Sequence, residues 1–273
     1  MRANKTEKPW YCCRFREIFL AAAPGSTNRE FKIRSPTQEI AKVTITAIAA
    51  EKTAWVRFTG IRREEAKTSA ESQGIIFHES LCDDLEVFYC KELFRALVPV
   101  VREVDPEIIL THGPYDYMED HVNAGRLAVT AAFCRGMTNC PVTRPAKAVD
   151  TQVAVYHSMP HSITDTLRRP VIPGMYVDIA DQIEVKKAML ACHKSQKEWL
   201  DVSQGMDAYL DDMVFRAEHF GKMSGRYRYA EGWIRHHPAG FCADDFNPML
   251  DALKDDAFIN PRFEASLQVE FPA

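Results

Sequence analysis

The chain has 273 residues, 46% hydrophobic and 26% charged, which is enough apolar material for a sizeable core and excludes a disordered chain. Its 34 basic and 38 acidic residues leave a formal charge of −4, which argues against a basic nucleic-acid footprint. No uncharged apolar run reaches the length needed to cross a bilayer.

Residues 1–14 read as a loose tail. Phe15 to Ala23 is apolar and strand-like, and Pro24-Gly25-Ser26-Thr27-Asn28 after it is a turn signature. Residues 28–42 are mixed and fit no period. Lys42 to Ala49 is β-branched and predicts a strand. Ile61 to Gln73 is rich in helix formers with Gly74 as its stop, and Gly74 to Phe77 reads as a short strand. Val87 to Val104 has helical spacing, with Pro99 predicting a kink or break and Asp105-Pro106 ending it. Glu107 to Leu110 is a short buried strand. The loop Thr111 to Glu119 is dense in polar and aromatic groups, and Asp120 to Phe133 is a helix. After a connection at 135–150, Thr151 to Tyr156 and Tyr176 to Ile179 read as strands. Asp181 is placed as the cap of a helix running to His193, with Glu184 at the box position. Asp207 to Gly221 is a further helix and Tyr227 to Trp233 a strand. Beyond Pro238 the chain reads as irregular, with one short helix around Met249 to Leu253.

Strands alternating with helices predict an α/β, Rossmann-like fold, its sheet mostly parallel and covered by helices on both faces, with an irregular C-terminal cap. One domain is expected over residues 15–235, with tails at 1–14 and 236–273. The eight cysteines contain no CxxC pair and sit in apolar contexts, as reduced thiols do. The apolar run Ile18 to Ala23 is too short for a signal peptide, so a cytoplasmic location is expected.

The loop at 111–121 follows a strand, where such folds carry function. It holds His112, Asp116, Asp120 and His121. Imidazole and carboxylate are zinc ligands, and a carboxylate beside a ligand histidine orients it. The plain alternative makes Asp120 a helix N-cap and His121 a surface residue of the first turn. Three further clusters are His193-Lys194-Ser195-Gln196 after a helix, Tyr229 to Trp233 with Glu231, and Arg62-Arg63-Glu64-Glu65 on a helix. Each has a bland reading: helix-end chemistry, an edge strand, a wet helix face. No GxSxG elbow or GxxxxGK[ST] loop is present, so a serine-hydrolase triad and a P-loop are not supported.

From about residue 43 to 233 the chain resembles the LmbE/PIG-L family of zinc-dependent N-deacetylases. The resemblance rests on IRREEAKTSAESQGI (61–75), LCDD (81–84), EIILTHGPYDYMEDHVNAGRL (107–127), VDIADQIEVKKAMLACHKSQ (177–196) and RYAEGW (228–233), in that order. It implies hydrolysis of an N-acetyl group from an N-acetylglucosaminyl-type conjugate, with a small amino-sugar conjugate as partner and self-association admitted. His121 matches the metal-binding last histidine of the family's His-Pro-Asp-His motif, and Asp120 the aspartate before it. The first histidine of that motif, which helps stabilise the oxyanion, falls on Met118, whose thioether cannot donate a hydrogen bond. His112 is the expected substitute, so the catalytic roles fall to Asp120 and His112. Arg62, Asp83, Gln196 and Glu231 are the implied substrate contacts.

The N-terminal departure is larger. The family's first strand ends in Ala-His-Pro-Asp-Asp, which supplies two zinc ligands and the general base. Here Ala23, Gly25 and Ser26 stand at those chemical positions, so the proline, Pro24, matches and the chemical groups are gone. Two accounts fit: a pseudoenzyme that keeps the scaffold, or a shifted reading frame over roughly residues 1–41, which preserves spacing and destroys identity. Either way, zinc binding is expected to be weak or absent and hydrolysis impaired, and His112, Asp116, His236 or His237 are the residues that would rescue a site. The alternative function is a non-catalytic carbohydrate-binding or interaction protein on the same scaffold.

Overall fold

Short β-branched runs joined by helical segments form one eight-stranded sheet in the computed structural model. The structure describes residues 17–22, 42–47, 56–196 and 208–268. In chain order the elements are β1 (Glu17–Ala22), β2 (Lys42–Ala47), α1 (Val56–Ser72), β3 (Ile76–His78), α2 (Lys91–Val104) and β4 (Ile108–His112). Next come α3 (Glu119–Cys134), β5 (Ala154–Ser158), β6 (Met175–Asp178), α4 (Ile183–Ala191) and α5 (Ala208–Ser224). The chain continues through β7 (Ala230–Arg235), α6 (Pro248–Leu253), β8 (Ala257–Ile259) and α7 (Pro261–Leu267). Strand order across the sheet is β3-β2-β1-β4-β5-β7-β6-β8.

The expectation of a mostly parallel sheet is overturned: the sheet is mixed and its pairings are mostly antiparallel. Among the described residues only β2–β3 and β4–β5 pair parallel. β1 runs antiparallel to both β2 and β4, and β5–β7, β6–β7 and β6–β8 are antiparallel too. Strand–helix alternation implies parallel direction only where a single helix crosses back over the sheet. That holds from β2 through α1, α2 and α3 to β5. Between β6 and β7 the described residues form the helices α4 and α5, and the chain returns reversed. The expected irregular cap is also corrected. Residues 257–259 add β8 to the sheet edge, paired to β6, and α7 follows.

The reversal of β1 has a direct consequence. Phe19 pairs with Leu110 and Ala21 with Ile108, so β1 ends beside the amino end of β4. His112 lies at the other rim. His112, with His121 stacked on it, therefore lies away from the carboxyl end of β1. Ala23, Gly25 and Ser26 themselves lie outside the described residues.

Strand period sorts the core. Val155 of β5 and Val153 just before it face Leu97, Val101, Ala124 and Leu127 of α2 and α3, while Ala154 and Tyr156 face Met175, Ala217 and Met249. Pro99 lies inside α2 without ending it, and Asp105 closes the helix in the left-handed region at φ 47°. Gly74 at φ 68° stops α1's turn as the sequence predicts. Asp181 does not cap α4. It lies in the 3-10 turn Ala180–Gln182, and the cap residue is Gln182.

Candidate metal centre

β4 ends at His112, and α3 begins at Glu119, so the six residues between form the turn that builds the centre. Asp116 N–H donates to the Gly113 carbonyl (3.3 Å), and Asp116 Oδ1 accepts from Met118 N–H (3.0 Å). Aspartate is suited to this job because its short carboxylate bonds the backbone two residues on. The same Oδ1 bonds His121 Nδ1 at 2.9 Å. Met118 is thus the N-cap of α3 and engages the turn through its backbone, not its side chain.

Asp116 and His121 are buried, 4% and 2% exposed, which decides against the surface reading of His121. The His112 ring stacks on the His121 ring, with centroids 4.2 Å apart and planes 8° from parallel. Among the described residues, His112, Asp116 and His121 form a group whose candidate ligand atoms lie within 4.8 Å of one another. Burial pushes the Asp116 carboxyl up, but the hydrogen bond and charge of His121, the Met118 N–H and His112 outweigh it and hold the group below the usual carboxylate range. The turn therefore presents an ionised carboxylate beside two stacked imidazoles, a donor set that fits a divalent cation such as zinc. The expectation that metal binding is weak or absent is overturned by this cluster. Of the residues named as able to rescue a site, His112 and Asp116 are the two that join His121.

Two contacts hold the cluster from outside. α3 carries Gly125 where it meets the end of β4, and a Cβ there would lie 2.5 Å from the His112 carbonyl oxygen. Only glycine lets helix and strand close to that distance. Asp120, 5% exposed, accepts the Leu85 N–H through Oδ2 at 2.7 Å. Leu85 sits at φ 62°, so the carboxylate pins a left-handed turn in the β3–α2 connection to the first turn of α3.

The other expected site residues are spread over the molecule. Arg62 on α1 adds charge beside His193, whose imidazole is pushed down to about 4 by burial and by Arg62. Glu65 on the same helix accepts from Ser195 N–H (2.8 Å) and Oγ (2.7 Å). Gln196 is buried, and its Oε1 has no hydrogen-bond partner among the described residues. Glu231 pairs with Lys186 of α4. Asp83 lies in the β3–α2 connection, its carbonyl accepting from Glu86 N–H at 3.2 Å. Sequence reasoning missed the Leu85–Asp120 latch, the Gly125 approach and His157, the polar end of the Val153–Val155 stripe. His157 Nδ1 lies 2.8 Å from the His112 carbonyl, and its Nε2 lies 2.9 Å from His236 Nδ1.

Residues 32–132 match the family model for PIG-L, GlcNAc-PI de-N-acetylase. The match begins upstream of residue 43, where the resemblance read from the sequence starts. A diacetylchitobiose deacetylase of Thermococcus kodakarensis is 35% identical over 185 residues, 66% of this chain and 64% of that protein. The chain thus spans somewhat under two thirds of the length of this relative. The fold is shared with N,N'-diacetylchitobiose deacetylase from Pyrococcus horikoshii (TM-score 0.56, 21% identity, 74% of this chain and 73% of that one). It is shared equally with GalB, a 4-carboxy-2-hydroxymuconate hydratase from Pseudomonas putida (TM-score 0.56, 21% identity, 75% and 87%). Family model, relative and fold agree with the landmarks from 61 to 233: this chain belongs to the PIG-L/LmbE-like deacetylase family.

Proposed function

We propose that the protein hydrolyses an N-acetyl group from an N-acetylglucosaminyl-type substrate at the His112–Asp116–His121 centre, with turnover impaired because the chain lacks the family's Ala-His-Pro-Asp-Asp run. The observation that carries this reading is the buried His–Asp–His cluster at the carboxyl end of β4. The fold does not choose the reaction, since a hydratase shares it at the same similarity. The 35% identity to a diacetylchitobiose deacetylase favours amide hydrolysis of an amino sugar.

A divalent cation held by this donor set supplies Lewis acidity for amide hydrolysis. The chain's own residues do the rest. Asp116 stays ionised and fixes the His121 ring through Nδ1. Asp120 is assigned the proton-handling role at its carboxylate. His112 shares the centre with His121, and an oxyanion donor at position 118 is missing. Arg62, Asp83, Gln196 and Glu231 are assigned to sugar contact. Where Gly25 replaces a general base and Met118 a donor, a second reading is favoured: a carbohydrate-binding protein on the same scaffold.

Metal content and acetate release from N,N'-diacetylchitobiose, measured together, test the proposal. The expected result is near-stoichiometric metal in the native chain, loss of it in His121→Ala and His112→Ala, and slow acetate release that falls with the metal. Metal-loaded protein that binds the sugar and releases no acetate would establish the second reading. Native protein that takes up no metal would end the first.

A further inference from the structure

The end of β4 is held by something other than the sheet. His112 is the last residue of the strand and pairs in register with Ser158. Its carbonyl oxygen lies 2.8 Å from Nδ1 of His157, the neighbouring residue on β5. A carbonyl can only accept, so the proton of the His157 ring sits on Nδ1. Nε2 of the neutral ring is then an acceptor, and the atom facing it, His236 Nδ1 at 2.9 Å, donates. His157 is 6% exposed, leaving the ring no solvent partner to exchange for this one. His236 is itself fixed: its N–H donates to the Val155 carbonyl (2.8 Å), and its ring meets Phe241 edge-on at 5.3 Å. On the other side of the same carbonyl, Gly125 admits α3 to contact distance.

We infer that His157, fixed in one tautomer by His236, is a positioning residue that sets the orientation of His112 in the candidate metal centre. The inference rests on the metal-centre reading and adds to it the device that aims one ligand. Nδ1 of His157 and the helix face at Gly125 grip the His112 peptide from two sides. The ring that leaves this peptide stacks on His121, whose own direction Asp116 sets. Each imidazole of the centre is thus oriented by a hydrogen bond: His121 through its ring to Asp116, His112 through its backbone to His157. Partners of this kind typically change metal affinity about 10- to 100-fold when removed.

The test is Co²⁺ titration of the full chain, read by visible absorption, for the native protein, His157→Leu, His157→Asn, His236→Leu and His112→Ala. Asparagine places an N–H close to where Nδ1 stands, so it keeps the donor to His112 and loses the link to His236. His157→Leu is expected to weaken Co²⁺ binding about tenfold or more, with His157→Asn restoring most of it and His236→Leu falling between. ¹⁵N imidazole spectra of the metal-free native protein need no variant to fold, and are expected to show the Nδ1–H tautomer for His157. Native affinity in His157→Leu, no recovery in His157→Asn, or an Nε2–H tautomer each overturns the inference while leaving the centre intact. A native chain that binds no Co²⁺ overturns the centre and the inference together.

Discussion

Asp120 has one oxygen in a structural bond and a proposed duty as a proton carrier, and substitution separates the two. Asparagine keeps an acceptor for the Leu85 N–H but cannot take up a proton. Asp120→Asn is expected to leave the melting temperature near native and lower acetate release by about 10²- to 10⁴-fold. Asp120→Ala is expected to lower both, because the left-handed turn at Leu85 then loses its anchor. Equal melting losses in the two variants would mean that the latch needs the charge. His193 carries a pH prediction at the same scale. Its folded value is about 4 against an ordinary 6.5, so the fold holds the ring neutral while the unfolded chain takes a proton first. The stability it contributes is whole above pH 6.5 and is lost as pH falls toward 4. Melting curves across that window should be flatter for His193→Asn than for the native chain, and parallel curves would contradict the assignment. At Gly125, alanine would drive its methyl against the His112 carbonyl. Gly125→Ala is expected to cost about 1–3 kcal/mol and to weaken metal binding, measured by denaturant melts and Co²⁺ titration.

The elements are tied by buried arginines as much as by the sheet. Arg102 of α2 donates to the carbonyls of Arg135 (3.0 Å), Ala146 (3.1 Å), Cys134 (3.4 Å) and Met137 (2.5 Å). These lie at the end of α3 and in the connection to β5, which has no regular ladder of its own. Arg135 does the same for Thr151 (2.8 Å) and Phe241 (2.7 Å). One guanidinium therefore satisfies backbone groups that burial would leave unpaired. Arg102→Ala should cost about 3 kcal/mol or more, since several carbonyls lose their partner together. Urea unfolding measures this, and a loss below about 1 kcal/mol would show that solvent reaches those carbonyls.

At the scale of the molecule, the centre sits at the rim where β2, β3, β4 and β5 end, whereas β1 ends at the opposite rim. Two consequences follow from that placement. Metal should stabilise the whole chain by mass action: at a hundredfold excess over its dissociation constant, about 2.7 kcal/mol, or about 5–10 °C in melting temperature. A chelator should reverse the shift, and His121→Ala should show none. The triple variant Ala23→His, Gly25→Asp, Ser26→Asp, which restores the family's motif, should leave Co²⁺ affinity unchanged, because β1 itself ends at the rim opposite His112. A gain in affinity would show that β1 reverses when its sequence is restored.

Much of the fold was legible along the chain. β-Branched runs and helix stops located β2, α1, β4 and α3 within a few residues, because period and capping are local properties. His112, Asp116, Asp120 and His121 stood out for the same reason, as dense chemistry at a strand end. Strand direction was not legible, since pairing sense is decided by which partners meet across the sheet and not by any run of residues. Which of these candidates converge was not legible either: with the N-terminal ligand positions lost at Ala23 and Ser26, the sequence left only His121 matched to a family ligand and could not choose among His112, Asp116, His236 and His237. The tertiary structure decided it by stacking the two imidazoles and burying Asp116 beside them, an arrangement made by one tight turn and the closeness that Gly125 permits.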